Sequence, residues 1–122
     1  MTKPLCVFVV DDDDDLANTT GALLKAFGHD PHIFTSAEDV LGALEEVTPD
    51  VILSDIGMPR MDGLALAGQI RQQARCAKTV LVAVTAFGEE DHRRDAIAAG
   101  FDYRFVKPLA AADLRDFLNQ LG

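Results

Sequence analysis

The sequence predicts an α/β fold in which five parallel strands alternate with helices. The segments between five apolar runs mostly carry apolar residues at helical spacing. The third and fourth runs are apolar on nearly every residue, which is typical of parallel strands covered by helices on both faces. A length of 122 residues fits one domain, so we expect a single (βα)5 unit over residues 1–122. The runs begin near Leu5, His32, Val51, Val80 and Arg104.

The composition is that of an ordinary globular protein, with 48% hydrophobic and 25% charged residues. No apolar run approaches the roughly 20 residues that a membrane span needs, and no leader-like stretch follows Met1. The net charge of -9 disfavours binding to a phosphate backbone. We therefore expect a cytoplasmic protein without membrane insertion or direct nucleic acid binding.

The cysteines and histidines show no metal-site spacing. Cys6 and Cys76 lie far apart, which favours packing roles in a reducing compartment over a disulfide or a metal knuckle. The histidines at 29, 32 and 92 belong to three different predicted elements. We expect all three at the surface.

The first predicted helix follows five consecutive aspartates at positions 11 to 15. Asp13 to Asp15 suit its cap and first turn, because acidic side chains interact favourably with the positive end of a helix. Gly28 suits the left-handed position just beyond its C-terminal end. The stripe expected to face the sheet comprises Leu16, Thr20, Leu23, Leu24 and Phe27.

The second predicted strand, residues 32–34, is short and suits an edge of the sheet. Ser36 is a good N-cap for the helix that follows, with Glu38 and Asp39 in the first turn. The stripe expected to face inward in that helix comprises Val40, Leu41, Leu44 and Val47.

Three further helices are predicted, the third after Gly63 and the fifth from about Ala111. The fourth, between residues 89 and 99, has Ile97 as its one large apolar residue. Because burial stabilises by only about 25 cal/mol per Å² of apolar area, we expect this weakly anchored helix to be the one that moves. The inward stripes of the third and fifth comprise Leu66, Ala67, Ile70, Leu114, Phe117, Leu118 and Leu121.

Four of the predicted strands end on polar residues. Asp11 and Asp12 follow the first strand, Asp55 ends the third, Thr85 follows the fourth and Lys107 follows the fifth. The carboxyl ends of parallel strands form the ligand crevice of an open α/β sheet. We therefore expect three carboxylates, one hydroxyl and one ammonium in a single site.

That set of groups suits a divalent metal and a phosphoryl group. Two carboxylates about 4 Å apart repel by roughly 4 kcal/mol at an effective dielectric constant of 20, so the trio demands a hard cation such as Mg²⁺. Lys107 and Thr85 can hold phosphoryl oxygens. A carboxylate nucleophile can then form an aspartyl phosphate.

Four segments, residues 9–12, 54–63, 84–86 and 106–109, carry a family resemblance. In this order and spacing the chain resembles the receiver domain of two-component response regulators over nearly its whole length. The resemblance implies a flavodoxin-like three-layer sandwich with a parallel sheet of order 2-1-3-4-5. Residues 54–59 and 100–102 look more like receivers attached to hybrid histidine kinases, of the phosphorelay type.

The resemblance also implies a magnesium site. Asp12, Asp55 and the carbonyl group of Gly57 would bind Mg²⁺ directly, and Asp11 would act through a metal-bound water molecule.

By the same resemblance, Asp55 is the phosphoacceptor, and Thr85 and Lys107 assist it. The donor would be a phosphohistidine on a histidine kinase or histidine phosphotransfer protein, and phosphorylation would switch the binding of a downstream protein. Catalysis would amount at most to self-phosphorylation from a phosphodonor and autodephosphorylation. The peptide bond between Lys107 and Pro108 would be cis.

One position departs from the family pattern. Receivers usually carry an aromatic residue or histidine three positions before the lysine, where this chain has Arg104. Because an unpaired guanidinium is strongly disfavoured in an apolar slot, we expect Arg104 to stay exposed and contact a partner.

Three other interpretations remain open at this stage. An aspartate-nucleophile phosphatase would use Asp11 and Asp13. A flavin-binding protein would need a Ser/Thr/Gly-rich phosphate cradle after the first strand, where this chain has aspartates. A degenerate receiver would act only as a scaffold.

Overall fold

A computed structural model describes residues 4–55, 63–85, 100–106 and 110–121. In these ranges a five-stranded sheet lies between two layers of helices. The predicted fourth helix, at 89–99, lies outside them. The elements are β1 (Cys6–Val10), α1 (Asp14–Ala26), β2 (Asp30–Phe34), α2 (Ala37–Ala43), β3 (Val51–Asp55), α3 (Gly63–Arg71), a 3-10 helix (Ala74–Cys76), β4 (Val80–Thr85), β5 (Tyr103–Val106) and α4 (Ala111–Leu121).

The sheet has the order β2-β1-β3-β4-β5, and all its strand pairs are parallel. This confirms the predicted fold class and strand order. Strand β2 lies at the edge as predicted but begins at Asp30, and Pro31 is tolerated there because an edge strand need not donate every N–H group. Pairing of Val10 with Ser54 brings the carboxyl ends of β1 and β3 side by side.

The two faces of the sheet bury alternate residues of each strand, because successive side chains of a strand point to opposite faces. One face packs against α2 and α3, and the other packs against α1 and α4. The strand residues buried on the first face include Phe8, Val10, Ile52 and Leu81, and those on the second include Val7, Val9, Val51, Leu53 and Val82.

Helix α1 is rotated relative to the predicted stripe. Leu16 is 45% exposed, so its predicted inward position is wrong, whereas Ala17, Gly21 and Leu24 are buried. The reason is close packing of α1 on β2: a Cβ atom added at Gly21 would lie 2.7 Å from Cδ1 of Ile33. Small residues therefore determine which side of α1 approaches the sheet. At the end of the helix, Gly28 has the predicted positive φ, of 90°.

The other described helices largely follow their predicted stripes. Ser36 caps α2 by accepting a hydrogen bond from the backbone N–H of Asp39, at 3.2 Å. Val47 is 39% exposed rather than inward, because α2 ends at Ala43 and Val47 lies beyond it. The buried residues that confirm the stripes are Val40, Leu44, Leu66, Ala67, Ile70, Leu114 and Leu118.

Arg71 ties the end of α3 to the segments that lead into β4 and β5. Its Nη2 atom lies 2.6 Å from Oδ2 of Asp102, and the same carboxylate oxygen accepts the backbone N–H of Leu81. Gly100 has a φ of 114°, and a Cβ atom there would lie 2.6 Å from Cγ of Arg71. The carbonyl oxygens that accept from this guanidinium belong to Cys76, Thr79 and Gly100.

We predict that Arg71→Ala lowers the free energy of unfolding by about 2–3 kcal/mol, because it removes the hydrogen bonds that this guanidinium donates to three backbone carbonyl groups and to Asp102. Urea denaturation followed by circular dichroism measures the change. Arg115→Ala is the matched control: Arg115 pairs with Asp116 in an exposed position, and its loss should cost less than about 1 kcal/mol. Equal effects of the two substitutions would contradict the anchoring role of Arg71.

His29 is buried, with 7% exposure, which corrects its predicted surface position. Its Nδ1 atom accepts a hydrogen bond from the backbone N–H of Leu5 at 3.1 Å, so the neutral ring carries its proton on Nε2. Burial lowers the pKa of His29 below its ordinary value. Of the other two histidines, His32 is half-buried and His92 lies outside the described residues.

The lowered pKa of His29 predicts an acid-sensitive fold. The unfolded chain binds a proton at about pH 6.5, before the folded protein does, so the free energy of unfolding should fall as pH drops below that value. In the His29→Gln variant the side-chain oxygen can accept the hydrogen bond from Leu5 but does not titrate. The free energy of unfolding of this variant should therefore depend less steeply on pH. Denaturation between pH 5 and 8 tests the prediction, with His32→Gln as control. An unchanged slope in His29→Gln would refute it.

Candidate functional site

Three aspartates meet at the carboxyl ends of β1 and β3. Asp11 and Asp12 directly follow β1, and Asp55 is the last residue of β3. Each offers a carboxylate oxygen, and these atoms all lie within 4.8 Å of one another. The structure thus brings together the three carboxylates that the sequence predicts for one site.

Backbone hydrogen bonds fix the position of Asp11. Its N–H group donates to the carbonyl oxygen of Phe34 at 3.1 Å, and its Oδ1 atom accepts from the N–H of Asp13 at 3.0 Å. Asp11 is buried, Asp55 is half-buried and Asp12 is exposed. The site is therefore rigid on one side and open to solvent on the other.

Asp13 has a structural task at the start of α1. Its Oδ1 atom accepts hydrogen bonds from the backbone N–H groups of Asp15 and Leu16, at 3.0 and 3.2 Å. Asp14 and Asp15 lie in the first turn. The capping role predicted for this part of the aspartate run is confirmed.

The donor set of the trio fits a hard divalent cation. At 4.8 Å, two carboxylates repel by about 3.5 kcal/mol at an effective dielectric constant of 20. Mg²⁺ prefers oxygen ligands and binds proteins through one or two carboxylates, keeping several water molecules. Asp12 and Asp55 would hold the ion directly, while the hydrogen-bonded Asp11 would orient a bound water molecule.

The remaining predicted site residues are described only in part. Thr85 is the last residue of β4 and lies opposite Val106 in the β4–β5 register, but its side chain is outside the described part. Gly57, Lys107 and the Lys107–Pro108 bond also lie outside it. Arg104 lies opposite Ala83 in β5 and is half-buried, not exposed as expected.

A second group of side chains that could hold a metal ion was missed from the sequence. Cys6, Asp30 and His32 each offer a ligand atom, and these atoms also lie within 4.8 Å of one another. They come from two paired strands, so no local spacing shows them together. One signal was available: Asp30 and His32 are two positions apart in an edge strand, which places them on the same face.

The parallel sheet and the acidic trio define a protein of the receiver type. A family model for the response regulator receiver domain matches residues 7–119. The chain belongs to this family, as the sequence resemblance predicted.

Curated relatives fall into two kinds. An uncharacterized 14.6 kDa protein of Leptolyngbya boryana is 31% identical over 114 residues, which cover 93% of this chain and 87% of the relative. The DNA-binding transcriptional regulator NtrC of Salmonella typhimurium is 42% identical over 98 residues, which cover 80% of this chain. Those residues span only 20% of NtrC.

Solved structures show the same fold. The chemotaxis protein CheY4 of Vibrio cholerae has a TM-score of 0.91 at 22% identity, covering 98% of this chain and all of CheY4. The receiver domain of a sensor histidine kinase from Pseudomonas aeruginosa has a TM-score of 0.88 at 23% identity, with 98% of each chain covered. The latter structure contains a magnesium ion coordinated in its active site cleft.

Proposed function

We propose that this protein is a phosphoacceptor receiver that takes a phosphoryl group from a phosphohistidine onto Asp55. The observation that most directly supports this proposal is that the carboxylate of Asp55 lies within 4.8 Å of those of Asp11 and Asp12. Family membership supports the same assignment. The donor is a histidine kinase or a histidine phosphotransfer protein, and the pathway is a two-component system or phosphorelay.

The transfer is a displacement at phosphorus. A carboxylate oxygen of Asp55 forms a P–O bond as the P–N bond of the phosphohistidine breaks, and the leaving imidazole takes up a proton. Asp55 is half-buried beside the exposed Asp12, which leaves the nucleophile accessible to a partner protein.

Asp11 and Asp12 supply the electrostatic setting. Because three carboxylates repel a phosphoryl group, transfer needs their charge to be neutralised. We propose that Asp12, Asp55 and the Gly57 carbonyl bind Mg²⁺, with Asp11 acting through water. Bound there, Mg²⁺ supplies positive charge to the phosphoryl oxygens.

Two further residues complete the proposed site. Lys107 follows β5 in the chain, and its ammonium group would pair with a phosphoryl oxygen. Thr85 ends β4, and its hydroxyl group would donate a hydrogen bond to a second oxygen. Parallel pairing of β3 with β4 and of β4 with β5 supports this assignment, since it gathers these strand ends at one edge.

The output is a change in protein binding. Phosphorylation would bias an equilibrium between two conformations through Thr85 and the segment at 89–99, and a downstream protein would recognise one of them. The net charge of -9 argues against direct nucleic acid binding by this chain. Among the described residues, no helix is long and apolar enough to cross a membrane. We propose a cytoplasmic receiver, with a phosphorelay pathway favoured.

The phosphatase alternative is weakened by Asp13. A phosphatase of the Asp-x-Asp type would need the Asp13 carboxylate for catalysis, but Oδ1 of Asp13 caps α1 through two backbone hydrogen bonds. A scaffold without phosphorylation would not require three carboxylates held together against their mutual repulsion. The receiver assignment uses all three.

We predict that incubation with Mg²⁺ and acetyl phosphate adds the mass of one phosphoryl group to the wild-type protein, measured by intact mass spectrometry. Asp55→Asn should abolish the addition, because an amide is not a competent nucleophile. Chelation of the metal should also abolish it.

Asp39→Asn is the matched control, since it removes an exposed carboxylate from the first turn of α2 and should leave phosphorylation intact. Full incorporation by Asp55→Asn would contradict the proposal. Incorporation that is lost in Asp11→Asn but kept in Asp55→Asn would also contradict it, because the phosphatase alternative requires that result.

A further inference from the structure

Cys6, Asp30 and His32 share one face of the β1–β2 pair, at the end of β1 away from the acidic trio. The register sets Cys6 opposite Asp30 and Phe8 opposite His32. Because residues two apart on a strand point to the same face, Asp30 and His32 project on the same side. The thiol, carboxylate and imidazole ligand atoms lie within 4.8 Å of one another.

Neighbouring contacts hold these side chains near their positions. The His32 ring packs against Phe8 with centroids 5.6 Å apart, and its Nε2 atom lies 3.1 Å from Oδ2 of Asp30. The backbone N–H of Cys6 donates to Oδ2 of Asp50 at 2.8 Å, which places a second carboxylate beside this strand end.

Solvent can reach the cluster because β2 is an edge strand. Cys6 is half-buried, and the side chains of His32 and Asp30 are 40% and 71% exposed. A metal ion can therefore enter without any strand separating.

The ligand types determine which metal fits. Thiolate, imidazole and carboxylate together are ligands for Zn²⁺ and similar transition metals, whereas Mg²⁺ prefers oxygen alone. Neighbouring ligand atoms of a tetrahedral zinc site are about 3.3–3.8 Å apart. The three ligand atoms must therefore move together by distances on the order of 1 Å to bind one ion. We propose that Cys6, Asp30 and His32 form a second metal site, for Zn²⁺ or a similar thiophilic divalent cation, with water in the fourth position.

The surroundings of the thiol agree with this assignment. The carboxylates of Asp30 and Asp50 both lie beside this strand end. The same negative charges attract a cation. Because the metal ligand is the thiolate, binding should release a proton.

Titration with Co²⁺ in excess Mg²⁺ tests the site, because Mg²⁺ competes for the all-oxygen trio but not for a thiol, and a Co²⁺–thiolate bond gives a charge-transfer band in the near ultraviolet. The wild-type protein should develop this band at one equivalent of Co²⁺. Cys6→Ser should abolish it, and Asp30→Asn and His32→Gln should each weaken affinity about tenfold or more. Cys76→Ser, which removes the other thiol, and Asp12→Asn should retain the band.

A second measurement uses only the wild-type protein, so it does not depend on how the variants fold. Zn²⁺ should slow the alkylation of Cys6 by iodoacetamide, measured by peptide mass spectrometry, and EDTA should restore the rate. A wild-type protein with no band and no protection would overturn the proposal. A band that persists in Cys6→Ser, or affinity unchanged in both Asp30→Asn and His32→Gln, would also overturn it.

Discussion

Repulsion among three carboxylates is the constraint on which this molecule depends. The parallel pairing of β1 with β3 fixes Asp11 and Asp12 beside Asp55, and backbone hydrogen bonds prevent Asp11 from turning away. Two unit charges 4.8 Å apart repel by about 3.5 kcal/mol at an effective dielectric constant of 20, and solvent around the exposed Asp12 reduces this repulsion. Under the proposed function, a bound cation would relieve this repulsion and would make the site attractive to a phosphoryl group. Metal binding and phosphoryl transfer, as proposed, would thus depend on the same three charges.

The rest of the fold supplies the rigidity that this arrangement needs. Two apolar layers enclose the sheet, and the close approach of α1 at Gly21 fixes the helix that begins beside the trio. Arg71 binds the segments that precede β4 and β5. Thr85 ends β4 and Lys107 follows β5 in the chain, and both residues have roles in the proposed site. The two ends of β1 differ in chemistry: two carboxylates follow Val10, whereas Cys6 begins the strand with a thiol.

Much of this organisation could be predicted from the sequence, because it depends on periodicity and on where strands end. The strand order required the family resemblance, and the acidic trio followed from the polar residues after the apolar runs. Side-chain burial was less predictable: Leu16 points outward because glycine at position 21 lets α1 approach β2 closely, and His29 is buried through a hydrogen bond from a distant strand end. The Cys6–Asp30–His32 cluster depends on strand register, which local spacing does not reveal.

The most direct test of the central claim is a double-mutant cycle of Asp12→Asn and Asp55→Asn, with the free energy of unfolding measured with and without Mg²⁺. In metal-free buffer each substitution should stabilise the protein, and their coupling energy should be about 1 kcal/mol or more, because either one relieves the same repulsion. At 100 times its dissociation constant, Mg²⁺ should stabilise the wild-type protein by about 2.7 kcal/mol and reverse the order of stabilities. Additive effects, with an order unchanged by Mg²⁺, would contradict the account.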